Sequence, residues 1–172
     1  MSNVILVAYA SRTGSTIGVA EAIGKTLVES GAQVEVRPMK EVMDLTPYRA
    51  VVAGSAIQGK RWLPEAIQFI QSHQAVLAQK PFAAFLVCMT LTIANQKYRE
   101  EVTNWLEPVR QLVEPVSEGF FAGALDISKV PSFGDRLKFR LSVALGVWEE
   151  GDHRDWDAIR SWAGSIYPML LQ

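Results

Sequence analysis

Along the chain, short continuous apolar runs alternate with longer stretches in which apolar residues recur every three or four positions. Val4–Ala8 is a β-branched, unbroken apolar run, as expected of a strand covered on both faces. The stretch after it places Val19, Ala20, Ile23 and Leu27 on one helical face, with Gly31 as its C-terminal stop. Gln33–Arg37 reads as a second strand, Pro38–Tyr48 as a connector and Ala50–Gly54 as a third strand. A helix opens at Pro64, a residue suited to a first helical position, and continues through Ile67, Ile70 and Leu77. Phe82–Cys88 is a fourth strand, followed by a helix carrying Tyr98, Val102, Trp105 and Leu106 that Pro108 must kink or restart. Glu118–Leu125 reads as the fifth strand, 126–151 as an irregular or partly helical insert, and Asp155–Leu171 as the last helix.

Five strands alternating with helices predict an α/β fold, a doubly wound five-stranded parallel sheet with helices on both faces, as a single domain over 1–172. Right-handed crossovers bring the loops after the first, third and fourth strands to the carboxyl edge of the sheet. Open α/β sheets bind their ligands there.

Charge narrows the partners. With 17 Lys+Arg against 18 Asp+Glu, the chain has no electrostatic footprint for nucleic acid. The single cysteine, Cys88, excludes an internal disulfide and fits a reducing compartment. No basic segment precedes the first strand and no apolar run approaches the ~18 residues of a membrane span, so a soluble cytoplasmic protein is expected.

The chemistry concentrates in the turn after the first strand, Ser11, Arg12, Thr13, Gly14, Ser15 and Thr16. It is not a dinucleotide fingerprint, because only Gly14 and Gly18 are present where G-x-G-x-x-G is needed. "GKT" at Gly24–Thr26 mimics a Walker A ending but lies inside the first helix. A hydroxyl-rich loop closing on a helix N-terminus suits an anion, since unpaired N–H groups and the positive end of the helix dipole converge there. The alternative is that these hydroxyls only cap the helix.

"YASRTGSTIGVAEAIG" resembles the phosphate loop of the flavodoxin-like family, and "VVAGSAIQGKRWLPEAIQFI" resembles the third strand and next loop of a subgroup related to menaquinone-dependent protoporphyrinogen IX dehydrogenase. "FFAGALD" and "GDHRDWDAIRSWA" resemble that subgroup's fifth strand and final helix entry. The resemblance implies FMN as cofactor, its phosphate held by Ser11–Thr16. It implies one wall for the flavin ring from Ser55, Ala56, Ile57, Gln58 and Gly59, and a second from Met89, Thr90, Leu91 and Thr92. Relatives often place an aromatic near Gln58; this chain has none there and none in the second wall. Trp62 and Lys60 are the nearby candidates for flavin or substrate contact.

Elsewhere the residues point to structure. Cys88 reads as a buried thiol, and His73 and His153 are too far apart in sequence to suggest a metal site. Asp152 or Asp155 reads as a helix cap. In 130–147, Phe133, Leu137, Leu141 and Ala144 share a helical face among Arg136, Lys138 and Arg140. That segment is expected to pack against the sheet edge or a second subunit, with an anionic membrane surface as the other reading.

The resemblance therefore implies an FMN-dependent oxidoreductase that takes hydride from a porphyrinogen-like substrate and passes electrons to a quinone or redox-protein acceptor. No protein side chain is assigned to the hydride step; the flavin carries the chemistry. A flavodoxin-type electron carrier is the alternative, against which the near-neutral charge counts. A flavin-free module of the same fold is the third reading.

Overall fold

The computed structural model describes residues 2–172. Five parallel strands, β1 (Val4–Ala10), β2 (Gln33–Pro38), β3 (Ala50–Gln58), β5 (Phe82–Cys88) and β6 (Ser117–Ala122), form a sheet in the order β2-β1-β3-β5-β6. The short β4 (Arg61–Trp62) folds back antiparallel on β3. The strand order reverses between β1 and β3, so the carboxyl ends of those strands flank the crevice where ligands of such sheets sit.

The alternation along the strands explains the two layers. Leu6 and Ala8 of β1, with Val51 and Ala53 of β3, face a core completed by Leu63, the residue before α2 (Pro64–Ser72), Ile70 of α2, Val102 of α4 (Gln96–Asn104) and Val109 of α5 (Glu107–Leu112). Ile5, Val7 and Val52 face the other way, against Val19, Ile23 and Leu27 of α1 (Ser15–Glu29) and Ile159, Ala163 and Ile166 of α7 (Trp156–Leu170). Full burial of each such side chain contributes ~1.5–3 kcal/mol, and both sheet faces are covered. Gly24 has a packing role: a Cβ there would lie 2.5 Å from Val36 Cγ2, so the glycine of "GKT" seats α1 on β2.

Several boundaries differ from the sequence reading. β3 does not stop at Gly54; it runs on through Gln58 and turns at Gly59 and Lys60, both at φ near +60°, into β4. The segment expected as a loop is therefore a hairpin, held in extended form by ladder pairing of Ile57 with Trp62. The helix from Pro64 breaks at His73, and a short α3 (Gln74–Leu77) turns Leu77 into the core. The restart around Pro108 is present, as α4 ends at Asn104 and α5 begins at Glu107.

The fifth strand also ends early. Gly123 separates β6 from β7 (Ala124–Leu125), which pairs antiparallel with β8 (Gly151–Asp152). This two-residue ladder is the neck of the insert. His153 N donates to the Gly123 carbonyl at 3.1 Å, and Ile127 N donates to Glu150 Oε1 at 3.1 Å, closing it further. The insert is more regular than expected: it carries a 12-residue helix, α6 (Phe133–Ala144), N-capped by Ser132.

Candidate functional site

At the carboxyl edge of the sheet lies a cavity of about 460 Å³, within the size range of small-molecule sites. Its floor and walls come from Thr13 and Ser15 of the first loop, Ala56–Gln58 at the end of β3, and Val87–Met89 at the end of β5. Its roof comes from the insert: Leu125, Val130, Phe139, Ser142 and Trp148.

The first loop is built to leave donors free. Gly14 sits at φ +96°, a left-handed conformation that glycine adopts at no steric cost. Its N–H donates to Ser11 Oγ at 3.1 Å, which tightens the loop. As N-cap of α1, Gly14 offers no side chain, and the first turn of α1 contains no acidic residue. The first-turn N–H groups thus lack the side-chain partner that would make this a simple capped helix. Thr16 is fully buried, and its Oγ1 has no hydrogen-bond partner.

Both arginines beside this loop are neutralised. Arg12 forms a fork with Glu65 in the first turn of α2, with Nη2 donating to Oε2 at 2.9 Å. That contact raises the guanidinium's pKa and lowers the Glu65 carboxyl's. Arg154 is forked by Asp152, with Nε and Nη2 each donating at 2.8 Å, and its guanidinium lies 4.5 Å from the centre of the Trp156 ring. An anion here meets N–H and hydroxyl dipoles rather than a free cation.

The other expected site residues are distributed unevenly. Ala56, Ile57 and Gln58 line the cavity, as does Met89. Ser55 is buried, its hydroxyl donating to the Ala56 carbonyl at 2.7 Å and accepting from Leu63 N at 3.0 Å, so it holds the hairpin. Thr90, Leu91 and Thr92 form the single 3-10 turn after β5 and lie outside the cavity lining; Thr92 Oγ1 donates to the Met89 carbonyl at 2.7 Å. Ser11 opens toward a neighbouring polar cavity of about 420 Å³ that includes Tyr9 and Glu41.

The two nearby candidates are placed elsewhere. Trp62 is buried in the core beneath the hairpin, because β4 turns its side chain inward opposite Ile57. Lys60 sits at the hairpin tip and pairs with Glu101 at 2.5 Å. The aromatics that do reach the cavity, Phe139 and Trp148, come from the insert and were not singled out in the sequence. The i, i+4, i+7 spacing of Asp135, Phe139 and Ser142 was the signal that marked their common face.

Cys88 lines the cavity at the end of β5, and burial pushes its thiol up to about 11. It is no nucleophile at neutral pH. Of Asp152 and Asp155, the two expected cap candidates, Asp155 caps α7 by accepting from Ala158 N at 2.9 Å, while Asp152 holds Arg154.

The sequence profile of the flavodoxin domain family matches residues 6–155. This chain belongs to the flavodoxin domain family. The oxidised flavodoxin 2 of Bacillus cereus is 30% identical, with a TM-score of 0.54, over 83% of this chain and 98% of that one. A flavodoxin from the domain Archaea covers 98% of this chain and 99% of its own at 16% identity and a TM-score of 0.58, a likeness of fold. The rubredoxin:oxygen oxidoreductase of Desulfovibrio gigas matches 99% of this chain with only 36% of its own length, at 16% identity and a TM-score of 0.57. Among curated proteins none matches.

Flavodoxin relatives bind FMN, and a flavin-based redox role follows from the family. The residues present fit that group. This flavodoxin domain offers an uncapped α1 terminus, the orphaned Thr16 hydroxyl, and two neighbouring arginines, Arg12 and Arg154, that are already paired with carboxylates. It also has a largely apolar cavity next to the loop.

Proposed function

We propose that this chain is an FMN-dependent oxidoreductase of the protoporphyrinogen-dehydrogenase type. It would act in the cytoplasm on a porphyrinogen-like reduced substrate, with a quinone or redox-protein acceptor. Bound in the cavity, FMN would supply the redox chemistry, a hydride acceptor toward the substrate and an electron donor toward the acceptor. In this reading Thr13, Ser15 and the first-turn N–H groups of α1 hold the phosphate. Ala56–Gln58 and Met89 orient the ring, and the insert excludes water above it.

The observation that carries the reading is the roof. A carrier needs an exposed flavin edge for another protein to approach. Here Leu125, Val130, Phe139 and Trp148 cover the cavity from a segment closed at its neck by β7 and β8. An apolar, aromatic roof suits the apolar pyrrole faces of a porphyrinogen-like substrate laid against a flavin ring. No acid or base from the chain is assigned; the thiol of Cys88, pushed up to about 11, stays protonated.

The carrier reading has its own support in the 30% identity to Bacillus cereus flavodoxin 2. One experiment separates the two. The FMN-loaded protein is given protoporphyrinogen and a quinone, and product is followed by porphyrin fluorescence. Turnover that falls when 130–147 is deleted, with flavin content retained, supports the oxidoreductase. Retained flavin with no turnover, together with reduction by a flavodoxin reductase, supports the carrier.

A further inference from the structure

α6 has two faces. Asp135, Lys138, Phe139 and Ser142 line the cavity. Phe133, Leu137, Leu141 and Leu145 point the other way, and with Val147 they are between 52% and 77% exposed. Five of the eleven exposed large apolar side chains among the described residues fall in this one segment. That concentration is unlike the scattered apolar exposure of an ordinary surface.

The expected packing of this stripe against the sheet edge does not occur, because the opposite face of α6 is the one turned to the protein. The stripe is bordered by cations. On a helix of 100° per residue, Arg136 and Arg140 run along one edge, with Arg136 also donating to the Val130 carbonyl, and Lys138 stands at the other, at the cavity rim 3.7 Å from Asp135 Oδ1. α6 carries these three cations against the single acid Asp135, in a chain whose net charge is −1. The positive charge is therefore local to the apolar stripe.

We propose that the outer face of α6 docks on an anionic lipid surface, with Phe133, Leu137, Leu141 and Leu145 entering the headgroup boundary and Arg140 meeting lipid phosphates. Short helices with an apolar stripe flanked by Lys and Arg bind in this way, in the plane of the interface. No helix of the described residues is long and apolar enough to cross a membrane, so the contact is one of surface docking. A second copy fits less well. Pairing α6 with itself would bring the Arg136 and Arg140 edges of two copies together, with no acid on the outer face to meet them. The inference goes beyond the proposed reaction and does not depend on it, though it would bring the roof of the cavity to the surface in which a quinone dissolves.

The test is flotation of the full-length purified protein with vesicles of phosphatidylcholine alone or of phosphatidylcholine mixed with phosphatidylglycerol. Flavin content and far-UV circular dichroism are read in the same samples. The wild type is expected to float with the anionic vesicles only, and to be released by salt. Leu137→Asp with Leu141→Asp should weaken binding by at least about tenfold, and Arg140→Glu should weaken it several-fold, with fold and flavin content unchanged. Failure of the wild type to bind anionic vesicles overturns the proposal, as does binding that survives the double substitution. Concentration-dependent dimerisation lost in the double variant, without lipid binding, would reassign the face to a second copy. Because flavin content is read separately, loss of lipid docking and loss of the cofactor site are distinguishable.

Discussion

Arg154 Nη1 donates to the carbonyl of Ser15 at 3.2 Å, joining residues 139 positions apart in sequence. The same guanidinium is fixed by Asp152 of β8, so the neck of the insert is tied to the first turn of α1. Gly18 makes room for this: a Cβ there would lie 2.5 Å from Arg154 Nη1. Roof and phosphate loop are one connected unit. Removing the link by Arg154→Met should weaken FMN binding by about three- to tenfold, measured by flavin fluorescence titration. An unchanged affinity would mean that the two ends of the site are independent.

The Asp152–Arg154 pair also predicts a pH dependence. Hydrogen bonds from Arg154 hold the Asp152 carboxyl down to about 2. A depressed carboxyl stabilises the fold above the ordinary carboxylate range, ~3.9, and that stabilisation is lost as pH falls through about 2. The side chain is 47% exposed, so solvent screening keeps the contribution below ~1 kcal/mol. Asp152→Asn should therefore lower urea stability modestly at pH 7, and the gap to wild type should close between pH 4 and 2.

Thr13→Asp or Ser15→Asp tests the phosphate assignment without endangering the fold. An added carboxylate near the N-terminus of α1 is favourable to the helix dipole. Against a bound phosphate it is repulsive by a few kcal/mol at close range, on the order of a hundredfold or more in affinity. The expected result is a folded, colourless protein with unchanged or raised melting temperature. Full flavin retention would remove this loop from the site.

Trp148→Ala and Phe139→Ala test the roof. Each should lower kcat/KM for the porphyrinogen-like substrate by about tenfold, the worth of one aromatic contact, while the visible flavin spectrum persists. Equal loss of flavin and activity would assign these rings to gripping the cofactor.

For Cys88, a thiol pushed up to about 11 leaves roughly one thiolate in a thousand at pH 8. Iodoacetamide should label the native protein far more slowly than the urea-unfolded one. Rapid native labelling would show the end of β5 to be open.

The alternation of strands and helices, with the hydroxyl-rich turn Ser11–Thr16 between the first two elements, was legible in the sequence, because burial on both faces imposes a local period on each element. Gln58 was legible as a cavity residue, but its strand conformation was not, since a two-residue ladder at Trp62 decides it. Local patterns also left open which way Trp62 faces, and hairpin register turned it into the core. Which residues form the roof and the Arg154 tie lay beyond reach for the same reason. They depend on segments far apart in sequence meeting at Gly123 and Gly18, and no local window records a close approach between distant backbones. The sequence by itself determined the layers of this protein and the hydroxyl-rich loop that follows its first strand. The tertiary structure decided what covers that loop and which face of α6 is left to the outside, because both follow from where the β7–β8 neck aims the insert.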